Sequence, residues 1–460
     1  LGIYFGKKRP STPEAEQPYV GGVLKFRLPF IHYPWEWPDA IQGAILSVVP
    51  MGIIAAMTSV LGIPFEVAIT MVIINNFMYL IHTHFGDPSV VGWITPGIPL
   101  YIAFLTGFAE GPERLQAMIA LQLLVAAIFI FFGLTKLAGR VVAAIPNSIK
   151  AGILLGAAIA SIIGEFKAEG RVSQFTVSIL LGVGLSFFML FSSATAELRQ
   201  RYSLFRFVAQ YGIAIPFAIS YVIGIIIGEV QMPTINWGFT PLAVGEMVRT
   251  LSPFNIGFPS VGIFLKALPL AIAAYIIAFG DVLIANSLLK ACDEKRKDEK
   301  VLFEANRNNI IAGIRNAVEG LFLPFLPLSG PQWAGGQALV VNRYINSTRE
   351  QMDSYWGGAT SIFWGMSIAL LLGPVVSLFK PGLAIGLSLT LLVQGYLCAY
   401  LAMEMVESKI ERGIAGVVGA IIAIKGAAWG LIIGLVLYFL LEHDWFKQII
   451  VSEGKSSVDS

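Results

Sequence analysis

Apolar residues run through this chain in long blocks divided by short polar connections. Helix-length apolar stretches fall at 41–62, 65–83, 96–108, 115–135, 140–164, 173–193 and 204–228. A polar-aromatic connection at 229–260 follows, and then stretches at 261–290, 308–326, 331–345, 357–378, 381–403, 411–424 and 427–442. A bilayer-crossing helix needs roughly 20 apolar residues, so the pattern predicts an all-α polytopic membrane protein with 14 transmembrane segments, seven in each half. Two stretches break the rule. Ile94-Thr95-Pro96-Gly97-Ile98-Pro99 and Pro327-Leu328-Ser329-Gly330-Pro331-Gln332 place Gly, Pro and hydroxyl residues inside or beside the third and tenth segments. In lipid, loosened backbone is tolerated only where protein or a watery cavity covers it. Interrupted segments at corresponding places in two halves therefore point to a midplane substrate site in a secondary transporter.

Composition narrows the class further. Only 13% of residues are charged, against roughly 25% in soluble domains, and no polar block is long enough to form a separate soluble domain. The formal charge of +2 argues against a nucleic-acid partner. Four histidines and two cysteines, Cys292 and Cys398, supply neither a disulfide nor a metal framework, so no metal and no cofactor is expected. No histidine-rich, Ser/His or paired-acid constellation marks an enzyme. Lys and Arg gather in cytoplasmic loops. They concentrate here in the even-numbered connections, as at Arg199, Arg201 and the run Lys290 to Lys300. That bias places both termini on the cytoplasmic side of a bacterial-type inner membrane. Seven segments per half then make the second half enter from the opposite side, which is an inverted repeat. A faint echo supports it: Ile145-Pro146-Asn147-Ser148 opens the fifth segment much as Lys380-Pro381-Gly382-Leu383 opens the twelfth.

Several motifs carry a resemblance. Asp39-Ala40-Ile41-Gln42-Gly43 through Pro50, then Leu61-Gly62-Ile63-Pro64-Phe65-Glu66, resembles the first span and turn of sulphate permease family proteins. Asp281 in Phe279-Gly280-Asp281-Val282 is similar to the eighth-span aspartate of nucleobase-ascorbate transporters. Glu304-Ala305-Asn306-Arg307, Glu319-Gly320-Leu321-Phe322 and Pro327-Leu328-Ser329-Gly330 resemble the approach to the tenth span in both families. The resemblance implies a core domain at 41–135 and 261–378 and a gate domain at 136–228 and 379–445. Residues 1–40 would be a cytoplasmic or interfacial segment, 229–260 an extracellular connection and 446–460 a tail too short for the regulatory domain many sulphate permeases append. It also implies a homodimer, with spans three and ten as half-helices whose N-termini converge on the substrate.

The local chemistry agrees with such a site. Thr95-Pro96 and Ser329-Gly330-Pro331 put a hydroxyl and then Pro where a helix would begin, an N-cap and N1 arrangement. A helix start offers unpaired N–H groups and about half a positive charge. The substrate-binding candidates are Thr95, Gly97, Ser329, Gly330, Gln332 and Trp333, with Tyr275 either facing the cavity or packing between helices. Asp281, an intramembrane carboxylate, either exchanges the coupling proton, orders the tenth-span start, or is satisfied by nearby backbone. No basic residue is placed at the site, Lys266 reading as a snorkelling side chain. Asn75 and Asn76 bond neighbouring helices or line the cavity. His82, His84 and Asp87 sit at the end of the second segment without enough ligands for a metal, and Cys292 to Lys300 reads as a solvated charged loop.

The chain departs from the nucleobase pattern at Ile277, where those carriers have glutamate, and at Ala278, where they have serine. The reading is a secondary active transporter moving a small organic or inorganic anion by alternating access, coupled to protons or else sodium, with lipid as its surroundings. The alternatives are a nucleobase proton symporter and an uncoupled anion channel of the same fold.

Overall fold

The computed structural model describes residues 2, 3, 6, 8–22, 24–202 and 212–442; within these, the side chains of 2, 3, 196, 199, 200, 281 and 283–285 fall outside the description. Among the described residues six helices are long and apolar enough to cross a membrane, and the chain is an integral membrane protein. The principal helices are α1 (Trp37–Leu61), α2 (Phe65–His84), α3 (Thr95–Leu105), α4 (Pro112–Thr135), α5 (Asn147–Phe166), α6 (Thr176–Phe191) and α7 (Ala214–Ile226). After the connection come α8 (Val261–Lys295), α9 (Ala305–Phe322), α10 (Ala334–Ile345), α11 (Tyr355–Leu370), α12 (Leu383–Glu404), α13 (Lys409–Lys425) and α14 (Ala427–Leu437). Besides several shorter helices, the described residues hold four two-residue strands: β1 (Gly2–Ile3), β2 (Trp35–Glu36), β3 (Gly92–Trp93) and β4 (Ser329–Gly330).

Breaks fall where the covalent chemistry demands them. Pro50 lacks the N–H that a continuous helix needs, and the helical bonding of α1 is interrupted on either side, at Ser47 and Gly52. Gly62, left-handed at φ 67°, ends α1 with its N–H on Met57 O, and Pro64 then admits α2. The apolar stretch 140–164 is not one helix: Pro146 divides a short helix, Ala138–Ala144, from α5. The stretch 357–378 likewise stops at Leu370, because Leu372 leaves the helix to bridge Phe239. The start of the expected 204–228 segment, and residues 443–460 with the expected tail, lie outside the described residues.

The helices pack in two sets. In one, α4 lies against α8 and α9, α1 and α2 lie against α11, and α8 lies against α10; in the other, α5 lies against α12 and α13, α13 against α14, and α6 against α7 and α12. The sets meet where α3 touches α5 and where α12 touches α1. Glycine makes the tightest crossing. A Cβ on Gly43 of α1 would lie 1.9 Å from Ile362 O, and one on Gly365 of α11 would lie 1.8 Å from Ala40 O, so the two backbones touch directly.

The N-terminal segment is stitched to one set of helices. Arg9 is buried and donates to Asp298 Oδ2 at 3.0 Å and Asp353 O at 2.6 Å. The Arg27 guanidinium lies 3.9 Å from the Trp356 ring centre, and Tyr33 OH is 2.8 Å from His84 Nε2. One sequence expectation needs correction here: the run from Cys292 to Lys300 is not a solvated loop. The helix continues to Lys295, Cys292 is buried, Arg296 forks onto Asp298 at 3.0 and 2.6 Å, and Glu299 accepts from Ser354 Oγ and the Tyr355 N–H. Charges that apolar neighbours would expel are kept because each finds an opposite charge or a donor.

Because neither backbone at the α1–α11 crossing can retreat without moving its helix, Gly365→Ala should destabilise the protein by about 1–3 kcal/mol. The expected readout is a lowered thermal unfolding midpoint in detergent. Gly413→Ala, where nothing lies within 4 Å of the added methyl, should leave that midpoint unchanged.

Candidate functional site

Two short extended segments cross inside the helical body. Strands β3 and β4 pair antiparallel, Gly92 opposite Gly330 and Trp93 opposite Ser329. The ladder continues as Ile94 N–H donates to Leu328 O at 3.1 Å and Trp333 N–H to Val90 O at 2.7 Å. Glycine is required on both strands, since a Cβ on Gly330 would sit 2.6 Å from the Trp93 carbonyl carbon and one on Gly92 would sit 2.9 Å from Trp333 Cβ. Leu328, with φ 55°, holds a left-handed conformation that a branched side chain rarely adopts. From this crossing α3 and α10 depart. They have 11 and 12 residues, and at 1.5 Å per residue each reaches about half of a bilayer core of roughly 30 Å.

The expected hydroxyl caps are not caps. The N-cap of the turn that opens α3 is Ile94 and that of α10 is Trp333, and neither start has a side-chain cap bond. Thr95 is the first residue of that turn, and Ser329 stands four residues before the N-cap of α10, in the strand. The reason is that strand pairing and side chains of α9 satisfy the backbone as far as Trp333, so the helix begins later than the Ser-Gly-Pro signal suggests. Pro331 O accepts from Asn308 Nδ2 at 2.9 Å, and Ser329 N–H and O are both bonded by the Asn316 amide, at 3.0 and 2.8 Å.

Ser329 Oγ is fully engaged. It donates to Glu319 Oε1 at 2.6 Å and accepts from Arg315 Nη2 at 2.8 Å. Asn75 Nδ2 donates to the same Glu319 oxygen at 2.6 Å, Gln122 Nε2 donates to the other at 2.7 Å, and Trp93 Nε1 donates to Asn75 Oδ1 at 3.0 Å. Arg315 and Glu319 are completely buried. A basic residue thus does stand at the crossing, against the sequence expectation, and it is Arg315. A signal was available: Asn308, Arg315, Asn316 and Glu319 recur at helical spacing within an otherwise apolar stretch, marking one polar face. Asn75 belongs to this cluster, while Asn76 is buried with neither end of its amide bonded.

The other candidates divide. Ser329, Gly330 and Trp333 meet the opposite segment at the crossing, against Trp93, Gly92 and Val90, while Thr95 and Gly97 form the turn that follows β3. Gln332 is buried, its Nε2 donates to Gln337 Oε1 at 3.2 Å, and its Oε1 has no partner. Trp333 folds back over the first turn of α10, where a Cβ on Gly336 would meet its ring at 2.3 Å; at the start of α3, a Cβ on Gly97 would likewise meet the Tyr101 hydroxyl at 2.0 Å. Each half-helix therefore opens with an aromatic ring laid against a glycine. Tyr275 is drawn away into helix packing: its rings partners are Phe129 and Phe132 of α4 at 5.0 and 4.8 Å, and its hydroxyl donates to Asn309 of α9. Asp281 lies on α8, but its side chain is outside the described residues. Lys266 points its ammonium at the Phe108 ring, 5.5 Å from the centre. Among the described residues no three His, Cys, Asp or Glu side chains form a metal-binding group.

Removing the cation alone strands a buried carboxylate, at a cost of about 3–5 kcal/mol. Arg315→Met should accordingly lower the thermal unfolding midpoint steeply, and adding Glu319→Gln should recover much of the loss. Equal midpoints for the single and double variants would contradict this coupling, which runs through Ser329 Oγ.

No family model and no curated protein sequence matches the chain. Solved structures do. The transmembrane domain of BicA, a cyanobacterial bicarbonate transporter, superposes with a TM-score of 0.55 at 15% identity, over 87% of this chain and 96% of that one. The murine solute carrier 26 family member A9 anion transporter, in its inward-facing state, gives 0.53 at 15% identity, over 88% of this chain and 68% of that one. The chain therefore has the fold of these sulphate permease family anion transporters, the family its motifs resemble.

Proposed function

We propose that the protein is a secondary transporter that carries a small anion across the membrane by alternating access. The observation that supports this most directly is the crossing itself: two uncapped half-helix starts that leave from opposite ends of one short ladder, β3 paired with β4. Their first-turn N–H groups and positive dipole ends suit an anion. Gln332, Thr95 and the backbone from Gly97 and Gly330 onward are the contacting groups. Ser329 acts from behind, through Glu319 and Arg315, because its hydroxyl is already engaged. The fold shared with a bicarbonate transporter and another anion transporter supports the same reading. A stacked nucleobase is less well served, since Trp333 lies against Gly336 and Ile277 offers no carboxylate to a ring N–H.

In this reading 14 segments form a 7+7 inverted repeat. The set α1–α4 with α8–α11 is a core that moves the anion past a gate made of α5–α7 and α12–α14, and the packing sets support that division. The gate is also the dimer surface. A proton is the coupling ion and Asp281 is one carrier for it, an intramembrane carboxylate being costly to keep without a task. Both termini lie in the cytoplasm.

Purified protein in liposomes should take up labelled bicarbonate or sulphate saturably. Gln332→Ala removes a hydrogen bond to a charged ligand, worth about 1.5–3 kcal/mol, and should weaken the apparent affinity at least tenfold. Asp281→Asn should abolish accumulation driven by a pH gradient while leaving exchange of the anion intact. Unsaturable currents in a planar bilayer, or uptake of uracil in place of either anion, would overturn the reading.

A further inference from the structure

Beside the crossing lies a buried histidine that anion binding by itself does not use. His82, on α2, is wholly inaccessible. Its Nδ1 is 2.6 Å from Asp87 Oδ2, and its Nε2 is 3.3 Å from Arg315 Nη1. A guanidinium only donates, so Nε2 carries the lone pair and Nδ1 carries the proton, which it gives to Asp87. The other bonds of Asp87 agree with a carboxylate that only accepts: Oδ1 takes the N–H and hydroxyl of Ser89 at 3.2 and 2.8 Å, and Oδ2 takes Asn308 Nδ2 at 2.8 Å. The same Nη1 that faces His82 also reaches Gly330 O at 3.3 Å, while Nη2 holds Ser329 Oγ. Arg315 is thus shared between one titratable ring and both residues of β4.

We propose that His82 is a proton-operated latch on Arg315, so that protonation of Nε2 releases the arginine from the ring, loosens its hold on β4 and ties proton uptake to the position of the α10 start. The proposal rests on the crossing being the anion site. The two states are exclusive, because a proton on Nε2 would set an N–H against the N–H of a cation. Groups facing His82 from the packed elements are few. Arg315 and Glu319 come from α9, with Arg307 bonded nearby to Gly86 O; Tyr79 of α2 lies beneath the Arg315 guanidinium at 5.0 Å; Tyr355 of α11 donates to Pro88 O; His84 is held by Tyr33. Among these, Asp87 anchors the ring and Arg315 is the cation that a second proton must displace. Protonation adds a positive charge at the crossing, so an anion and the His82 proton each favour the other.

The ligand-free protein tests the latch directly. The fluorescence difference between the unmodified protein and Trp333→Phe, titrated from roughly pH 8 to 5, should show a one-proton transition. His82→Gln can still accept from Arg315 and donate to Asp87 but cannot titrate there, and should abolish it. Asp87→Asn keeps the histidine and removes its anionic partner, and should move the midpoint down by about one pH unit or more. An unmoved midpoint in Asp87→Asn, a transition that survives in His82→Gln, or no transition in the unmodified protein overturns the latch. Sulphate affinity, read by thermal shift, should tighten by about tenfold per pH unit through that transition and stay flat in His82→Gln. If neither sulphate nor bicarbonate binds at any pH, the transport reading falls, and the ligand-free titration still decides the latch.

Discussion

Backbone that leaves a helix inside a bilayer must find hydrogen-bond partners in protein, since hydrocarbon supplies none. This chain meets that constraint twice in one place, by letting its two interruptions pair with each other. Two residues of β3 and two of β4 are too few to be a sheet in water. Inside the helical body they are enough to satisfy the strand backbones, and Asn308, Asn316 and Arg315 of α9 supply what the ladder leaves over. The short half-helices, the glycines at 92 and 330 and the late start of α10 all follow from that pairing.

The same arrangement explains the cost the core bears. Arg315, Glu319, His82 and Asp87 are buried where an unpaired charge would be severely penalised. Each is paired or hydrogen-bonded: Arg315 and Glu319 bond β4 directly, His82 reaches it through Arg315, and Asp87 reaches it through His82 and Arg315. The polar cluster therefore fixes where the two helix starts lie, and its completeness matters more than the worth of any single bond.

Much of this was legible in the sequence because Pro and Gly punctuate membrane segments strongly. Pro50, Gly62-Ile63-Pro64 and Pro146 mark real breaks, and the two Gly/Pro-rich motifs mark the crossing. What could not be read was which partner satisfies an interrupted backbone. Ser329 resembles an N-cap in sequence, yet its role depends on a carboxylate ten residues earlier in the chain and an asparagine more than two hundred residues away. Tyr275 shows the converse difficulty, since nothing in a local pattern tells a cavity-facing ring from one clamped between Phe129 and Phe132. The run from Cys292 to Lys300 reads as solvent-exposed for a similar reason: its partners, Arg9, Ser354 and Tyr355, are distant in sequence.

The stitching of the N-terminal segment has a practical side. Its hydrogen bonds to the rest of the chain, among the described residues, reach the ends of α2, α8 and α10, the middle of α11 and the adjoining loops, which all belong to one packing set. A probe fixed to residues 9–36 would thus report the displacement of that set as a whole, and paired with a second probe on α13 it would turn the movement between the two halves of the molecule into a measurable length.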